Sequence, residues 1–324
     1  MGIKHLNNFL RTECGDSIKV ISLAELSGKK IAIDISIYMY KYESNEALIE
    51  NMYIMLTVFR QHNIIPIFIF DGKPPTEKKA LLQKRKADKK EAEKEYNILK
   101  QKLEMNNSAN DDDKQEIITN MDLLKKQFIY INKEKKDQVK NLIRSYGATY
   151  YDAPGEADEL CALLVLKNKV WACLSEDMDM FVYGCTKVIR YLSLFNCTAV
   201  LYDMKGILES LSFTQKEFRE ICVLSGTDYN IQNCNKSKIA LNLYETFKLF
   251  NKYKKEKENL DFYEWLKINS NYITDYELLK NIYDIFDLKK TNLISFEKIK
   301  IVNGPIDCEN IKNILKTDGF IFPL

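Results

Sequence analysis

Three apolar runs that each end at an aspartate constrain this chain more than any other feature. Residues 30–35 read Lys-Ile-Ala-Ile-Asp-Ile and close around Asp34, residues 64–70 read Ile-Ile-Pro-Ile-Phe-Ile-Phe and meet Asp71, and residues 170–174 read Val-Trp-Ala-Cys-Leu and lead to Asp177. Runs of this kind, without polar alternation, suit strands buried on both faces. Between the first two, residues 46–61 have the apolar spacing of a helix. The unit is then a strand-helix-strand crossover whose strands are expected to lie parallel. In a parallel sheet the carboxyl ends of the strands converge on one edge, where open α/β sheets bind their ligands. The three aspartates are expected there.

The remaining chain divides around this unit. Gly72, Lys73, Pro74 and Pro75 stop the second strand and bound an N-terminal region, residues 1–75. Residues 76–146 change character. Two charged, helical stretches, 77–105 and 114–143, flank the polar Asn106–Asp113 segment. The whole reads as a helical insertion standing off the sheet, too polar to be core. Between Lys73 and Lys102 there are 11 Lys or Arg against 5 Asp or Glu. Such an arm can hold phosphates even though the formal net charge of the chain is only +2. A solvated helix face laced with i,i+4 ion pairs would use the same residues. The sheet pattern resumes at 147–151 and passes Pro154 and Gly155 into an apolar helix at 156–167. Strands follow at 170–174, 188–192 and 199–202, and Thr214 with Glu217 forms a capping box ahead of a helix to Leu224. Residues 147–228 thus complete the sheet domain. Residues 229–324 read as short helices packed against it.

Four more acids join the strand-end aspartates. Glu156 and Asp158 start a helix, Asp179 lies two residues past Asp177, and Asp228 follows a helix in Leu-Ser-Gly-Thr-Asp. Any single one is as readily a cap or loop residue; seven in this order can meet in one crevice. Like charges held together raise one another's pKa, and divalent cations remove the conflict. Oxygen-only ligands favour Mg²⁺ or Mn²⁺ over zinc. Two such ions roughly 4 Å apart activate a water and stabilise a leaving oxygen during in-line attack at phosphorus. The chemistry implied is phosphodiester hydrolysis.

Other classes find little support. The eight Cys include no CxxC pair or mixed Cys/His cluster, and the even spacing of Cys161, Cys173, Cys185 and Cys197 has no repeat around it. No signal peptide precedes them, so reduced intracellular thiols are expected. No apolar run reaches the roughly 20 residues that span a bilayer, and Leu6 occupies the Ser/Thr slot of a myristoylation motif. A soluble chain without membrane contact is expected. His5 and His62 form no triad, and no Gly-x-Ser-x-Gly elbow is present.

The motifs around these acids resemble the flap endonuclease and XPG family of structure-specific 5′ nucleases over nearly the whole chain. MGIKHLNNFL resembles the family's N-terminal signature and AIDIS its first metal-binding strand. FDGKPP at 70–75, DAPGEADE at 152–159, SEDMDMFVYG at 175–184 and LSGTDY at 224–229 resemble the segments that supply the other acids. The resemblance implies an α/β fold with a mostly parallel, PIN-like central sheet flanked by helices. It also implies a helical arch at 76–146 and a helical C-terminal region with a divergent helix-hairpin-helix element. Asp34, Asp71, Glu156 and Asp158 would mainly hold one Mg²⁺, and Asp177, Asp179 and Asp228 the other. Lys78 and Arg85 fall at the foot of the arch, where they would neutralise charge on the phosphoryl oxygens. They lie seven residues apart, so both can face the site from one side of a helix. Tyr40 matches a position where an aromatic ring stacks on a nucleobase; core packing is the plainer reading. Lys73 and Lys84 would contact the nucleic-acid backbone. A single-stranded 5′ end would pass under or through the arch, with little sequence preference.

Two departures bear on substrate choice. Residues 230–238, where the family has a Gly-rich turn that grips duplex backbone with a monovalent cation, contain no Gly. Asn233 and Asn235 take the glycine slots, and Asn is the next best residue for positive φ. Lys236 and Lys238 would add side-chain charge there, and whether the turn binds K⁺ stays open. No glutamine-and-aromatic clamp-docking peptide is evident at Phe-Ile-Phe-Pro-Leu, which assigns processivity to another partner or to residues beyond the chain. The expectation is a monomeric flap endonuclease or 5′→3′ exonuclease acting on branched or gapped DNA with a 5′ single-stranded end. It would work in the nucleus or, for a viral chain, at the site of viral DNA replication. A junction resolvase, a 5′→3′ exoribonuclease and a catalytically silent branched-DNA binding module are the alternatives, and RNA stays open as a substrate.

Overall fold

The computed structural model of the chain describes residues 2–105, 111–229, 242–256, 260–273, 275–288 and 299–320. It opens with helix α1 (Leu6–Glu13) and strand β1 (Ile18–Ser22). Strand β2 (Lys30–Asp34) runs directly into α2 (Ile35–Glu43), then α3 (Leu48–Gln61) and β3 (Ile65–Phe70). Helices α4 (Lys79–Met105), α5 (Asp111–Lys125) and α6 (Lys133–Ser145) separate β3 from β4 (Thr149–Asp152). Next come α7 (Ala157–Leu166), β5 (Ala172–Leu174), α8 (Asp179–Tyr183), β6 (Lys187–Ser193) and β7 (Thr198–Asp203). The rest of the described chain is helical: α9 (Met204–Leu211), α10 (Gln215–Ser225), α11 (Leu243–Glu256), α12 (Phe262–Asn269), α13 (Tyr276–Ile285) and α14 (Cys308–Thr317).

The strands form one sheet in the order β1-β7-β6-β5-β2-β3-β4. β6, β5, β2, β3 and β4 run parallel, and β7 is antiparallel to both β6 and β1. The expected crossover is present, and its register aligns the strand ends. Asp34 pairs with Ile69, Ile33 with Leu174 and Phe70 with Asp152. The four strand ends therefore stop level with one another, and the residues just beyond them share one edge.

Both faces of the sheet are covered, which explains the unbroken apolar runs. One core joins α7, α8 and the aromatic residues of α10 to α12, among them Phe218, Phe250, Phe262 and Trp265, with Phe286 at the end of α13. The other joins α2, α3, α6 and α14 through residues such as Met52, Met55, Ile143 and Leu315.

The insertion differs from its expected form. The second charged stretch is not one helix standing off the sheet: α5 stops at Lys125, and α6 starts after Asn132, whose side chain caps it by accepting from the Lys135 N–H. Val139, Leu142 and Ile143 of α6 are completely buried against α3 and the sheet. The Tyr146 and Thr57 hydroxyls share a hydrogen bond of 2.7 Å, and Asn310 of α14 donates to Ser145 Oγ at 2.7 Å. Lys and Asp on the outer face of α6 hide a three-residue apolar stripe. α4 and α5, which pack on each other, keep the charged character read for the whole stretch.

Replacing Leu142 by Ala should lower unfolding free energy by about 2–5 kcal/mol, the cost of an incompletely collapsed core cavity. Denaturant titration would read it as a lower midpoint at unchanged slope. A loss well under 1 kcal/mol would mean that α6 is not part of the core.

Candidate functional site

The level strand ends bring the acids together, and the local chain holds each in place. Asp34 ends β2 and caps α2, accepting from the Ser36 N–H at 3.2 Å. Asp71 follows β3 and accepts from Ser36 Oγ and from the Ala157 N–H, 2.9 Å away at the start of α7. That second contact depends on a close approach of two backbones. Gly72 donates to Gly155 O at 2.8 Å, and a Cβ at Gly72 would lie 1.8 Å from Ala153 O. Only glycine fits. Glu156 sits at the N-cap of α7 and Asp158 in its first turn. Both therefore face the positive end of the helix dipole.

Beyond β5 a chain of bonds fixes the remaining pair. Ser175 Oγ donates to Asp34 Oδ2 at 3.2 Å and accepts from the Asp177 N–H, and Asp177 Oδ1 accepts from the Asp179 N–H at 3.0 Å. Asp158, Asp177 and Asp179 each bring one carboxylate oxygen within 4.8 Å of the others. Asp228, after α10, takes an ion pair from Arg85 at 2.9 Å.

Electrostatics sets this group apart from a chance cluster. Burial first, then the charges of Asp71 and Asp177, push the Asp34 carboxyl up to about 7. Burial, with Glu156 next for Asp158 and Asp177 next for Asp179, raises both of those far above the usual carboxylate range. Asp179 Oδ1 is buried with no hydrogen-bond partner among the described residues. A buried acceptor left unmatched is costly, and a hard cation would satisfy it while cancelling the like-charge strain. All the donors are carboxylate oxygens, so the residues fit Mg²⁺ or Mn²⁺.

Two cations of the chain reach this group. Lys78 Nζ lies 2.8 Å from Glu156 Oε2, its side chain only 10% exposed. Burial alone would lower its pKa, yet Asp158 and Glu156 outweigh it and raise the ammonium instead. Lys78 lies in a short 3₁₀ turn, Thr76–Lys78, just ahead of α4, and Arg85 lies on α4 itself. Each meets an acid of the group, Lys78 at Glu156 and Arg85 at Asp228, and a single helix does not carry both. Tyr40 on α2 is 43% exposed, with Lys89 Nζ 4.8 Å from its ring centre. Lys73 and Lys84 are exposed on the surface. Lys236, Lys238 and the whole 230–238 turn lie outside the described residues.

Several contributors escape the sequence reading. Gly2, at φ 76°, passes so close to the acids that a Cβ would sit 2.6 Å from Asp179 Oδ1 and 2.7 Å from Asp177 Oδ1. Tyr229 donates to Glu156 Oε2 at 2.6 Å and lies under the Lys78 ammonium. The loop that carries Asp177 is braced from β6. Arg190, nearly fully buried, donates to Glu176 O at 3.0 Å and to Asn7 Oδ1 of α1 at 2.7 Å. The next residue, Tyr191, adopts φ 53° at an irregularity in the β6–β7 pairing and donates its N–H to Glu176 Oε1 at 2.6 Å. A bulky residue rarely adopts that conformation, and here it aims an amide at the residue before Asp177. Gly2 lies within the MGIKHLNNFL motif, but neither its contact with the acids nor a bulge in a strand can be read from one sequence.

Comparison with known proteins agrees with this geometry. The family model of the XPG N-terminal domain matches residues 1–92 and that of the XPG I-region residues 147–228, together more than half of the chain. Flap endonuclease 1 of Meyerozyma guilliermondii is 30% identical over 248 residues, taking in 71% of this chain and 63% of that protein. The chain thus spans less than two thirds of the length of that relative. The catalytic core of Rad2 in complex with DNA substrate superposes with a TM-score of 0.65 at 20% identity, covering 96% of this chain and 94% of the other. Flap endonuclease-1 from Methanococcus jannaschii gives 0.62 at 22% identity, covering 93% and 90%. At these identities the two structures speak for the fold alone.

The raised carboxyls fix the sign of a stability test. A carboxyl whose folded pKa exceeds its unfolded one binds its proton more tightly in the folded state, so stability falls as pH rises between the two values. For Asp34 that window runs from 3.8 to about 7. Metal-free protein should therefore melt at a lower temperature at about pH 8 than at about pH 5, and Mg²⁺ should restore more of the loss at the higher pH. Asp34→Asn should flatten the dependence. A melting temperature in chelator that does not fall across this window, and that Asp34→Asn leaves unchanged, would refute the crowding of these acids.

Proposed function

Because the chain belongs to the XPG family, we propose that it is a structure-specific 5′ nuclease that hydrolyses DNA phosphodiesters, as a 5′-flap endonuclease, a 5′→3′ exonuclease or both. The observation that carries this reading is the meeting of two arch-foot cations, Lys78 and Arg85, with the acids Glu156 and Asp228. Acids alone would hold a metal. Acids faced by cations from the turn ahead of α4 and from α4 itself suit a phosphate that arrives between them.

In this reading Asp34, Asp71, Glu156 and Asp158 hold one Mg²⁺ and Asp177, Asp179 and Asp228 hold the other, with Mn²⁺ able to substitute. When bound, the two ions supply Lewis acidity at the scissile phosphate and lower the pKa of the attacking water. The chain's own residues do the rest. Ser36, Ser175 and the Ala157 N–H fix the orientation of Asp34 and Asp71 by donating to both oxygens of each carboxylate. Lys78 and Arg85 offset the charge that grows on the non-bridging oxygens in the transition state. Tyr40 stacks on a base beside the cut, and Lys73 and Lys84 hold the strand by its phosphates.

The substrate is branched or gapped DNA with a single-stranded 5′ end, engaged by a monomer. Residues 1–75 and 147–228 form the nuclease body, 76–146 the segment that includes the arch, and 229–324 the duplex-holding region. Lys236 and Lys238, with K⁺ at their turn, would grip the duplex.

Asp179→Asn should reduce Mg²⁺-dependent cleavage of a 5′-flap duplex by at least about a hundredfold, while flap binding in Ca²⁺ persists. Retained cleavage would sink the metal assignment. Arg85→Ala should slow single-turnover cleavage by about 10²–10³-fold and weaken binding far less, since its contribution rises with charge in the transition state. Equal losses in rate and affinity would count against its role.

A further inference from the structure

The foot of the arch holds a second aromatic residue beside Tyr40. Lys89 on α4 places its ammonium 4.8 Å from the Tyr40 ring centre and 5.4 Å from that of Tyr130, in the link between α5 and α6. Lys89 Nζ also donates to Ile129 O at 2.8 Å, which ties the link to α4. Three segments distant in sequence thus bring two rings to one cation. Both rings are open to solvent, Tyr40 at 43% and Tyr130 at 52%.

Ordinary packing does not account for Tyr130. The link is packed on α4 by its neighbour Phe128, whose ring meets Tyr96 edge-on at 5.4 Å. Tyr130 keeps its ring exposed, and besides the Lys89 contact it makes a long hydroxyl hydrogen bond to Glu93, 3.4 Å. Along α4, Arg85, Lys89 and Glu93 are spaced four apart and so share one face. Arg85 lies on Asp228 of the acid group, and the ring pair stands one helical turn farther out. A strand leaving the acids along this face would meet Arg85 first and the ring pair next.

We propose that Tyr130 and Tyr40 are the two walls of a stacking site for a base of the single-stranded 5′ end, with Lys89 between them as a phosphate contact. The inference rests on the reading of the chain as a 5′ nuclease and adds a residue and a place to it. A base stacked on an aromatic side chain is held more strongly than an exposed cation over the same ring. A base entering between the rings therefore gains more than the cation contact it displaces, and Lys89 is released toward the adjoining phosphate. Stacking reads no sequence, so the site selects a single strand over a duplex, whose bases are already stacked.

The test uses a 5′-flap duplex with 2-aminopurine placed at successive positions of the 5′ strand. Binding is followed by fluorescence in Ca²⁺, and single-turnover cleavage is measured in Mg²⁺. Wild type and Tyr130→Phe should quench the probe at one or two adjacent positions, and Tyr130→Ala should abolish that quench. Tyr130→Ala should also slow cleavage about tenfold, within the range expected from one lost stack. The slowing should vanish on a flap that is abasic at the quenched position. Tyr130→Phe keeps the ring and loses the Glu93 contact, so a purely structural hydroxyl would show itself by failure of Tyr130→Phe with normal behaviour of the abasic flap. That result, or an unchanged quench in Tyr130→Ala, overturns the stacking site while wild-type cleavage stands. Wild type that cuts no 5′ flap in Mg²⁺ overturns the nuclease reading instead.

Discussion

Mutual repulsion among carboxylates at one sheet edge is the constraint on which the rest of this structure depends. Asp34, Asp158 and Asp179 are all held above their ordinary pKa, with burial the first cause and neighbouring acids the second. Nothing intrinsic to these residues draws them together. The framework must impose the approach, and it does so with stiff parts: parallel strands in register, two helix N-termini, and serine hydroxyls and backbone amides that each lock one carboxylate oxygen. The close approach at Gly72 belongs to the same task, because it joins the end of β3 to the start of α7.

The chain's N-terminal segment is part of that framework. Arg190 spans Glu176 and Asn7, so one buried guanidinium links the Asp177 loop to α1. Tyr202 donates to the same Asn7 oxygen at 2.8 Å, and Arg11 donates to the Tyr202 hydroxyl at 3.1 Å. Fixing α1 in this way fixes Gly2 against Asp177 and Asp179. The left-handed Tyr191 is best understood within this arrangement. Its backbone is strained, and strain of that kind persists only when the surroundings over-determine it. Here the two-sided grip on Glu176 supplies the reason.

How much of the fold and site is legible in the sequence depends on how directly residue type reports environment. Buried parallel strands are legible because burial on both faces removes all polar alternation, and an aspartate at the end of such a run has few places to go. Helix α2 is hidden because Asp34 ends β2 and caps α2 at once, leaving no linker to mark the change. β1 is hidden because it is an edge strand with mostly exposed residues, its Val20 73% exposed. α6 misleads for the opposite reason: many charges surround a narrow apolar stripe, and composition averages over faces that packing keeps distinct. Contacts such as Lys78 with Glu156, or Tyr229 with the same oxygen, join residues far apart in sequence and exist only once the fold is formed.

The same averaging explains how a chain of formal charge +2 can gather cations on one part of its surface. What a phosphate meets is the local arrangement and not the sum. Lys78, in the turn ahead of α4, and Arg85 and Lys89 on α4 gather there, the first two lying on Glu156 and Asp228. An ion pair of this kind need not compete with an incoming phosphate. Lys78 has three N–H donors and Arg85 five, so each can keep one on its carboxylate while offering the rest. The carboxylate then works as a positioning group for the cation, and the cation as a cover for the crowded acids. The acid cluster and the basic start of α4 are in this sense one device: each sign is tolerated at the sheet edge because the other is there.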